Sequence, residues 1–316
     1  MFEALFSSAP WWAWLGFHLL VVVMLALDLG VFNRKAHAPS MREAAGWSVA
    51  WVMLSLVFNG VIWQAMGGVR AAEFFTGYIL EKSLSVDNLF VFVLLFTAFQ
   101  VPVRNQHRIL YWGVVGAMVL RAVMIAAGIT LLNRFSWMII LFGAFLVYTG
   151  IKMLVMREKE AADPRRGGLA RAFQRLMPYD PAGGYDHFWI TREHRSYATP
   201  MLLLLVIVEA TDLLFAVDSI PAVLSVTRDP FLAYTSNIFA ILGLRSLYFL
   251  LARMIDRFHL LKLGLALILT FVGVKMCLEK LVEIPILVSL SVIALVLAVC
   301  VTGSLAWPRA EGGNTR

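Results

Sequence analysis

Five carboxylates interrupt the apolar runs of this chain: Glu81, Asp87, Glu209, Asp212 and Asp218. The first two lie in Glu81-Lys82-Ser83-Leu84-Ser85-Val86-Asp87-Asn88, the other three between Glu209 and Pro221. A carboxylate at the centre of a membrane-spanning helix costs about 2.5–3.5 kcal/mol on insertion scales, so it persists where it pairs, faces a cavity or binds something. The set offers carboxylate, amide and hydroxyl oxygens without Cys or His. Such hard donors suit Mn²⁺, Mg²⁺ or Ca²⁺. The residues expected to hold the cation are Glu81, Asp87, Asn88, Glu209, Asp212 and Asp218.

Spacing gives these residues a direction. Glu81, Ser85 and Asn88 fall at i, i+4 and i+7 and share one helix face, and Asp212, Ala216 and Ser219 repeat that face. Asp87 and Asp218 lie about 120° away on a regular helix, so they point elsewhere or the helix breaks beside them. Pro221 predicts a break in the second copy, because it removes a backbone hydrogen bond and frees the Val217 carbonyl. Five bases share the apolar runs: Lys82, Arg121, Lys152, Arg245 and Lys275. The buried charges therefore sum to zero, and static ion pairs holding a bundle together are a competing account. Arg121 and Arg245 are expected as partners of Asp87 and Asp218, because a guanidinium only donates and cannot ligate a cation. Lys152 and Lys275 stand near span ends and are expected to snorkel. Lys82 is left between neutralising the surroundings of Glu81, snorkelling and gating. Asn237 reads as a helix–helix hydrogen bond, and Asp28 as an interfacial carboxylate. Cys277 and Cys300 read as packing residues rather than a disulfide. The scattered methionines and the His187, His194 spacing carry no metal pattern.

The elements that must position these groups are membrane helices. The chain is 60% hydrophobic and 15% charged, with a mean hydropathy of +0.79. A soluble domain cannot hide that much apolar surface, but a bilayer can. About nine segments approach the ~20 residues needed to span: 11–32, 46–66, 73–99, 108–131, 136–156, 199–226, 231–252, 260–280 and 285–307. The expected fold class is all-α, a polytopic membrane helix bundle. The first segment lacks the small-residue cleavage site of a removable signal peptide. The net charge of +7 is not spread as a nucleic-acid surface would be. With nine spans, eighteen Lys and Arg fall on one side and only Arg70, Arg134, Arg228 and Lys280 on the other. The positive-inside rule then predicts a multi-pass protein of a bacterial-type inner membrane, N-terminus outside and C-terminus cytoplasmic. Segment 157–198 is the one substantial stretch outside the spans, a loop with a short helix expected at 167–176.

The chain also repeats itself. Asp87 matches Asp218 and Glu81 matches Asp212, both at an offset of 131; Arg121 matches Arg245 at 124, and Gly150-Ile151-Lys152-Met153 matches Gly273-Val274-Lys275-Met276 at 123. Each unit holds three spans, and an odd number turns the second copy upside down, as in secondary transporters with a midplane site. The expected organisation is helices 1–2 over 1–72, a first three-helix repeat over 73–156, a cytoplasmic loop over 157–198, a second repeat over 199–280, and a last helix and tail over 281–316.

Glu81 to Asn88, Phe215-Ala216-Val217-Asp218-Ser219-Ile220-Pro221-Ala222, and Thr235-Ser236-Asn237-Ile238-Phe239-Ala240-Ile241-Leu242-Gly243-Leu244-Arg245 resemble the TerC family of integral membrane proteins, from about Leu25 to Ala306. The resemblance implies a cation exporter, chiefly for Mn²⁺, distantly related to lysine-exporter-like transporters. It also marks Glu81, Asp87, Glu209, Asp212 and Asp218 as the family's acidic positions. No Gly-rich ATP-binding motif is present, so uphill movement would draw on an ion gradient, with protons exchanged at the carboxylates. The expectation is a non-enzymatic, proton-coupled divalent cation exporter working by alternating access. It carries Mn²⁺ or Ca²⁺ as cargo, has no permanently bound cofactor and has the lipid bilayer as its surroundings. A homo-oligomer or a membrane partner is left open. The alternatives are a membrane assembly or metalation factor with structural buried charges, or a tellurite resistance protein.

Overall fold

The computed structural model describes residues 9–30, 40–135, 137–155, 167–192, 194–252, 260–278, 281–282 and 284–306. Within them the chain is a helix bundle with one small hairpin. Its helices are α1 (Trp11–Gly30), α2 (Met41–Met66), α3 (Gly68–Ala98), α4 (Val103–Arg134), α5 (Met138–Val155), α6 (Gly168–Leu176), α7 (Pro200–Leu224), α8 (Pro230–Leu242), α9 (Leu244–Leu251), α10 (Leu261–Leu278) and α11 (Ile286–Ala306). The strands β1 (Trp189–Arg192) and β2 (Arg195–Ala198) pair antiparallel between α6 and α7.

Each of the nine expected segments holds helix among the described residues, the seventh as the pair α8 and α9. Five of these, α2, α4, α5, α7 and α11, are long and apolar enough to cross a membrane, and the α8–α9 pair makes a sixth if taken as one bent span. α1 and α10 hold shorter apolar stretches.

Local chemistry sets several ends. Ser40 and Glu43 form a capping box on α2, with Glu43 N–H donating to Ser40 Oγ at 3.2 Å and Ser40 N–H donating to Glu43 Oε2 at 3.4 Å. Gly67, at φ +90°, turns the chain directly from α2 into α3, a conformation that favours glycine. Asp229 caps α8 by accepting from Phe231 N–H (2.9 Å) and Leu232 N–H (3.2 Å), with Pro230 at the first helical position.

The break expected at Pro221 does not occur there. α7 continues to Leu224 with Pro221 inside its last turn, where losing one backbone bond costs least. α3 likewise runs unbroken past position 87. The interruption falls instead at Gly243, where α8 and α9 meet at 42°. Every residue of α8 is buried, so this apolar helix is the centre of the bundle.

α5 and α10 pack backbone to backbone. A Cβ at Gly143 would lie 2.7 Å from the Gly273 carbonyl, and one at Gly273 would lie 2.6 Å from the Gly143 carbonyl. One turn-pair away, a Cβ at Gly150 would lie 2.7 Å from the Ala266 carbonyl. As the position rises from 143 to 150, its neighbour falls from 273 to 266, so the helices run antiparallel.

In 157–198 the short helix lies where expected, at Gly168–Leu176. The hairpin leaves no signal in the sequence, because strands of four residues are too short to show an alternating pattern. The segment leans on the α3–α4 turn: Tyr185 Oη donates to the Phe99 carbonyl at 2.5 Å, and Arg104 pairs with Asp186 at 3.3 Å.

Candidate ion site

The inward face read from the spacing is the buried one. On α3, Glu81 and Ser85 are fully buried and Asn88 nearly so; on α7, Asp212, Ala216 and Ser219 are buried at matching positions. Between them stands Arg121 of α4, 0% exposed. Its Nη1 donates to Glu81 Oε1. Its Nη2 donates to Asp212 Oδ1 at 3.1 Å, and its Nε lies 3.4 Å from Asp212 Oδ2. Nη1 also reaches Ser219 Oγ at 3.2 Å and Asn237 Oδ1 at 3.3 Å. Asn237 on α8 completes the ring, its Nδ2 donating to Glu81 Oε2 at 3.0 Å. Four helices thus meet at one guanidinium whose bonds to charged acceptors are the strong kind.

This arrangement corrects one expectation. Arg121 pairs with Glu81 and Asp212 rather than with Asp218. Asp218 lies about 120° round α7 from Asp212, so it faces α5, where Thr149 Oγ1 donates to its Oδ1 at 3.2 Å. The side chains of Asp87 and Asp28 lie outside the described residues. Arg245 stands on α9, beyond the bend. Lys152 is in the last turn of α5 with its Nζ 5.8 Å from the Tyr148 ring centre, and Lys275 is in the last turn of α10.

Glu209 sits one turn before Asp212 on the same α7 face. Its carboxylate lies against the Gly116 backbone of α4, where any Cβ would overlap it. Its Oε2 is buried with no hydrogen-bond partner among the described residues. A small apolar crevice has Asp212 as its polar lining residue, between Phe92, Leu110, Gly113, Ala117, Ile241 and Leu244. Lys82 turns away from the acids. Its Nζ donates to the Ala240 carbonyl at 3.0 Å, close to where α8 ends.

Two carboxylates of the inward face, Glu81 and Asp212, thus share Arg121, while Glu209 stands one turn from Asp212 on α7. Among the described residues, no three His, Cys, Asp or Glu side chains gather tightly enough to hold a metal ion by themselves. The free thiols Cys277 and Cys300 pack at separate places, against Gly143 and Gly264. Sequence reasoning missed the shared arginine. The one signal for it was that Glu81 and Asp212 are matched positions at an offset of 131 in the sequence.

Residues 66–311 match the model of the integral membrane protein TerC family. An uncharacterized membrane protein of Myxococcus xanthus is 51% identical over 292 residues, covering 92% of this chain and 91% of that protein. Alx of Salmonella typhi is 47% identical and Alx of Escherichia coli K12 46% identical, each over 289 residues. Those alignments cover 89% of this chain and 89% and 90% of the relatives, whose name gives them a proposed role as membrane-bound redox modulators. No solved structure matches the chain. With the acidic motifs, the buried helix interior and a family match over most of its length, the chain belongs to the integral membrane protein TerC family.

Proposed function

We propose that the protein exports a divalent cation, Mn²⁺ in preference to Ca²⁺, in exchange for protons. The observation that carries this reading is that two buried carboxylates share the single guanidinium of Arg121. Two acids from matched positions of the sequence repeat share one base, and a third, Glu209, one turn from Asp212 on α7, leaves an oxygen without a partner among the described residues. Excess buried negative charge calls for a mobile positive one, a metal ion or protons. The donors are hard oxygens, which suits Mn²⁺, Mg²⁺ or Ca²⁺. Glu81, Asp212 and Glu209 would take the cation, with Asn88 as a neutral oxygen donor and Arg121 withdrawing as it binds. Asp87 and Asp218 would belong to the path rather than to the centre.

Nine crossings and an inverted repeat fit the same reading. Exchanging the copies at the sequence offset of 123 maps the Gly143–Gly273 contact onto Ala266–Gly150, and both contacts are present between antiparallel helices. Packing of α3 on α8 and of α4 on α7 is likewise interchanged by that operation. A two-fold axis in the membrane plane relates antiparallel spans in this way, and it provides the two mirrored openings that alternating access uses.

A second reading, a membrane assembly or metalation factor with structural charges, draws on Arg121 as well, since it binds both acids. The Alx name suggests redox work, but the two cysteines of this chain occupy packing positions. The separating experiment uses Glu81→Gln with Arg121→Gln, which keeps hydrogen bonding and removes one charge of each sign. Inside-out vesicles are assayed for uptake of Mn²⁺, Ca²⁺, Mg²⁺ and Zn²⁺. Export predicts that the pair inserts normally and transports nothing. Wild-type Mn²⁺ uptake by the double variant would refute it.

A further inference from the structure

We propose that α6 is a membrane-surface anchor that lies on the anionic headgroup layer beside the start of α7. Three faces of this nine-residue helix have different fates. Ala170 and Phe173 are buried, 0% and 6% exposed, in the same apolar cluster as Met201 and Leu204 of α7. Leu169, Ala172 and Leu176 fall at i, i+3 and i+7 and form a second apolar face. That face is open: Leu169 is 43% and Leu176 82% exposed, and Met177 just beyond is 41% exposed. Arg171 and Arg175, at i and i+4, make the adjoining exposed basic face.

Exposed leucines are ordinary on a helix inside a bilayer, but α6 lies outside the candidate spans. Its position supplies the occupant. It packs on α7, a candidate span beginning at Pro200, and shares an apolar cluster with Met201 and Leu204 near that start, which puts it at the level where that helix would meet the bilayer surface. A short helix with leucines on one side and arginines on the next matches the interfacial pattern, apolar residues among the acyl chains and basic ones at the phosphates. The arginines specify anionic lipid, because each basic residue near an anionic surface favours it roughly fivefold.

The full chain is tested in vesicles of phosphatidylcholine alone and of phosphatidylcholine mixed with phosphatidylglycerol. A polar environment-sensitive maleimide is placed at Ala172→Cys on the open apolar face and, separately, at Gln174→Cys on the opposite side. The unsubstituted chain serves as the blank for Cys277 and Cys300. At Ala172→Cys the label should shift to the blue, resist aqueous iodide and be quenched by spin-labelled lipid, more strongly with phosphatidylglycerol. At Gln174→Cys it should stay accessible to iodide. Arg171→Glu with Arg175→Glu should lower the ratio of surface-bound to free label by at least about 30-fold in the anionic vesicles, from two such basic contacts. Iodide access at Ala172→Cys equal to that at Gln174→Cys overturns the anchor. Equal protection in both lipids overturns the anionic partner. Protection that follows protein concentration in detergent, without lipid, assigns the face to a second copy of this chain and overturns the proposal too.

Discussion

Glu81 and Asp212 lie 131 residues apart and hold the same guanidinium, Glu81 through Nη1 and Asp212 through Nη2 of Arg121. Glu81 stands on α3 and Asp212 on α7, so the arginine of α4 fastens these helices together at the buried centre. Two acids against one base is a composition that stability alone does not explain, since a well-packed apolar trio of similar volume is often as stable.

Arg121→Ala should be strongly destabilising, by about 3–5 kcal/mol, because it strands two buried carboxylates. Thermal melting in detergent and the amount of protein in the membrane check this. Adding Glu81→Gln and Asp212→Asn to Arg121→Ala should restore much of the loss by removing the stranded charges.

Asp212→Asn and Glu209→Gln should insert at normal levels, since losing a buried charge lowers the membrane cost. Metal export should fall sharply in both. Mn²⁺ efflux from cells with matched protein levels is the measurement, and wild-type efflux from Asp212→Asn would remove that residue from the site.

Transport should weaken as the pH falls on the side that loads the metal. The carboxylates must be ionised to bind a cation, so protons compete with it, and raising the metal concentration should restore the rate. Vesicle uptake at several pH values and Mn²⁺ concentrations tests this; a rate indifferent to loading-side pH would argue against proton exchange.

Gly116→Ala should impair function without unfolding the protein. The added methyl overlaps the Glu209 carboxylate, whose side chain must swing aside while the backbone stays in place. The expected readout is a loss of Mn²⁺ uptake with an unchanged melting temperature.

Gly143→Ala and Gly273→Ala should each cost about 1–3 kcal/mol through overpacking against a backbone carbonyl. Gly60→Ala, where nothing lies within 4 Å of the new methyl, should be neutral or stabilising in the same helix-rich setting. Melting temperatures of the three variants provide the comparison.

Much of this site was legible in the order of residues. The inward face of α3 and α7 followed from spacings of three and four, and Asn237 is a helix–helix hydrogen bond as its polarity in an apolar run suggests. Other features depended on what the helices meet. Which acid Arg121 takes is decided by the rotation of α7 against α4 and α5, which spacing along one helix does not contain. Pro221 looked like a break because its effect is local, but its place in the last turn of α7 made it harmless. The actual bend at Gly243 has a glycine as its sole local sign, and glycine is tolerated in many straight membrane helices.

The glycine seam between α5 and α10 has a mechanical consequence. Where backbone approaches backbone this closely, with Cys277, Met276, Val147 and Thr270 filling the edges, the contact has little room to shift. The two helices are therefore expected to move together in any rearrangement of the bundle. Under the proposed alternating access, the movement would fall to the contacts among α3, α4, α7 and α8 rather than to this seam.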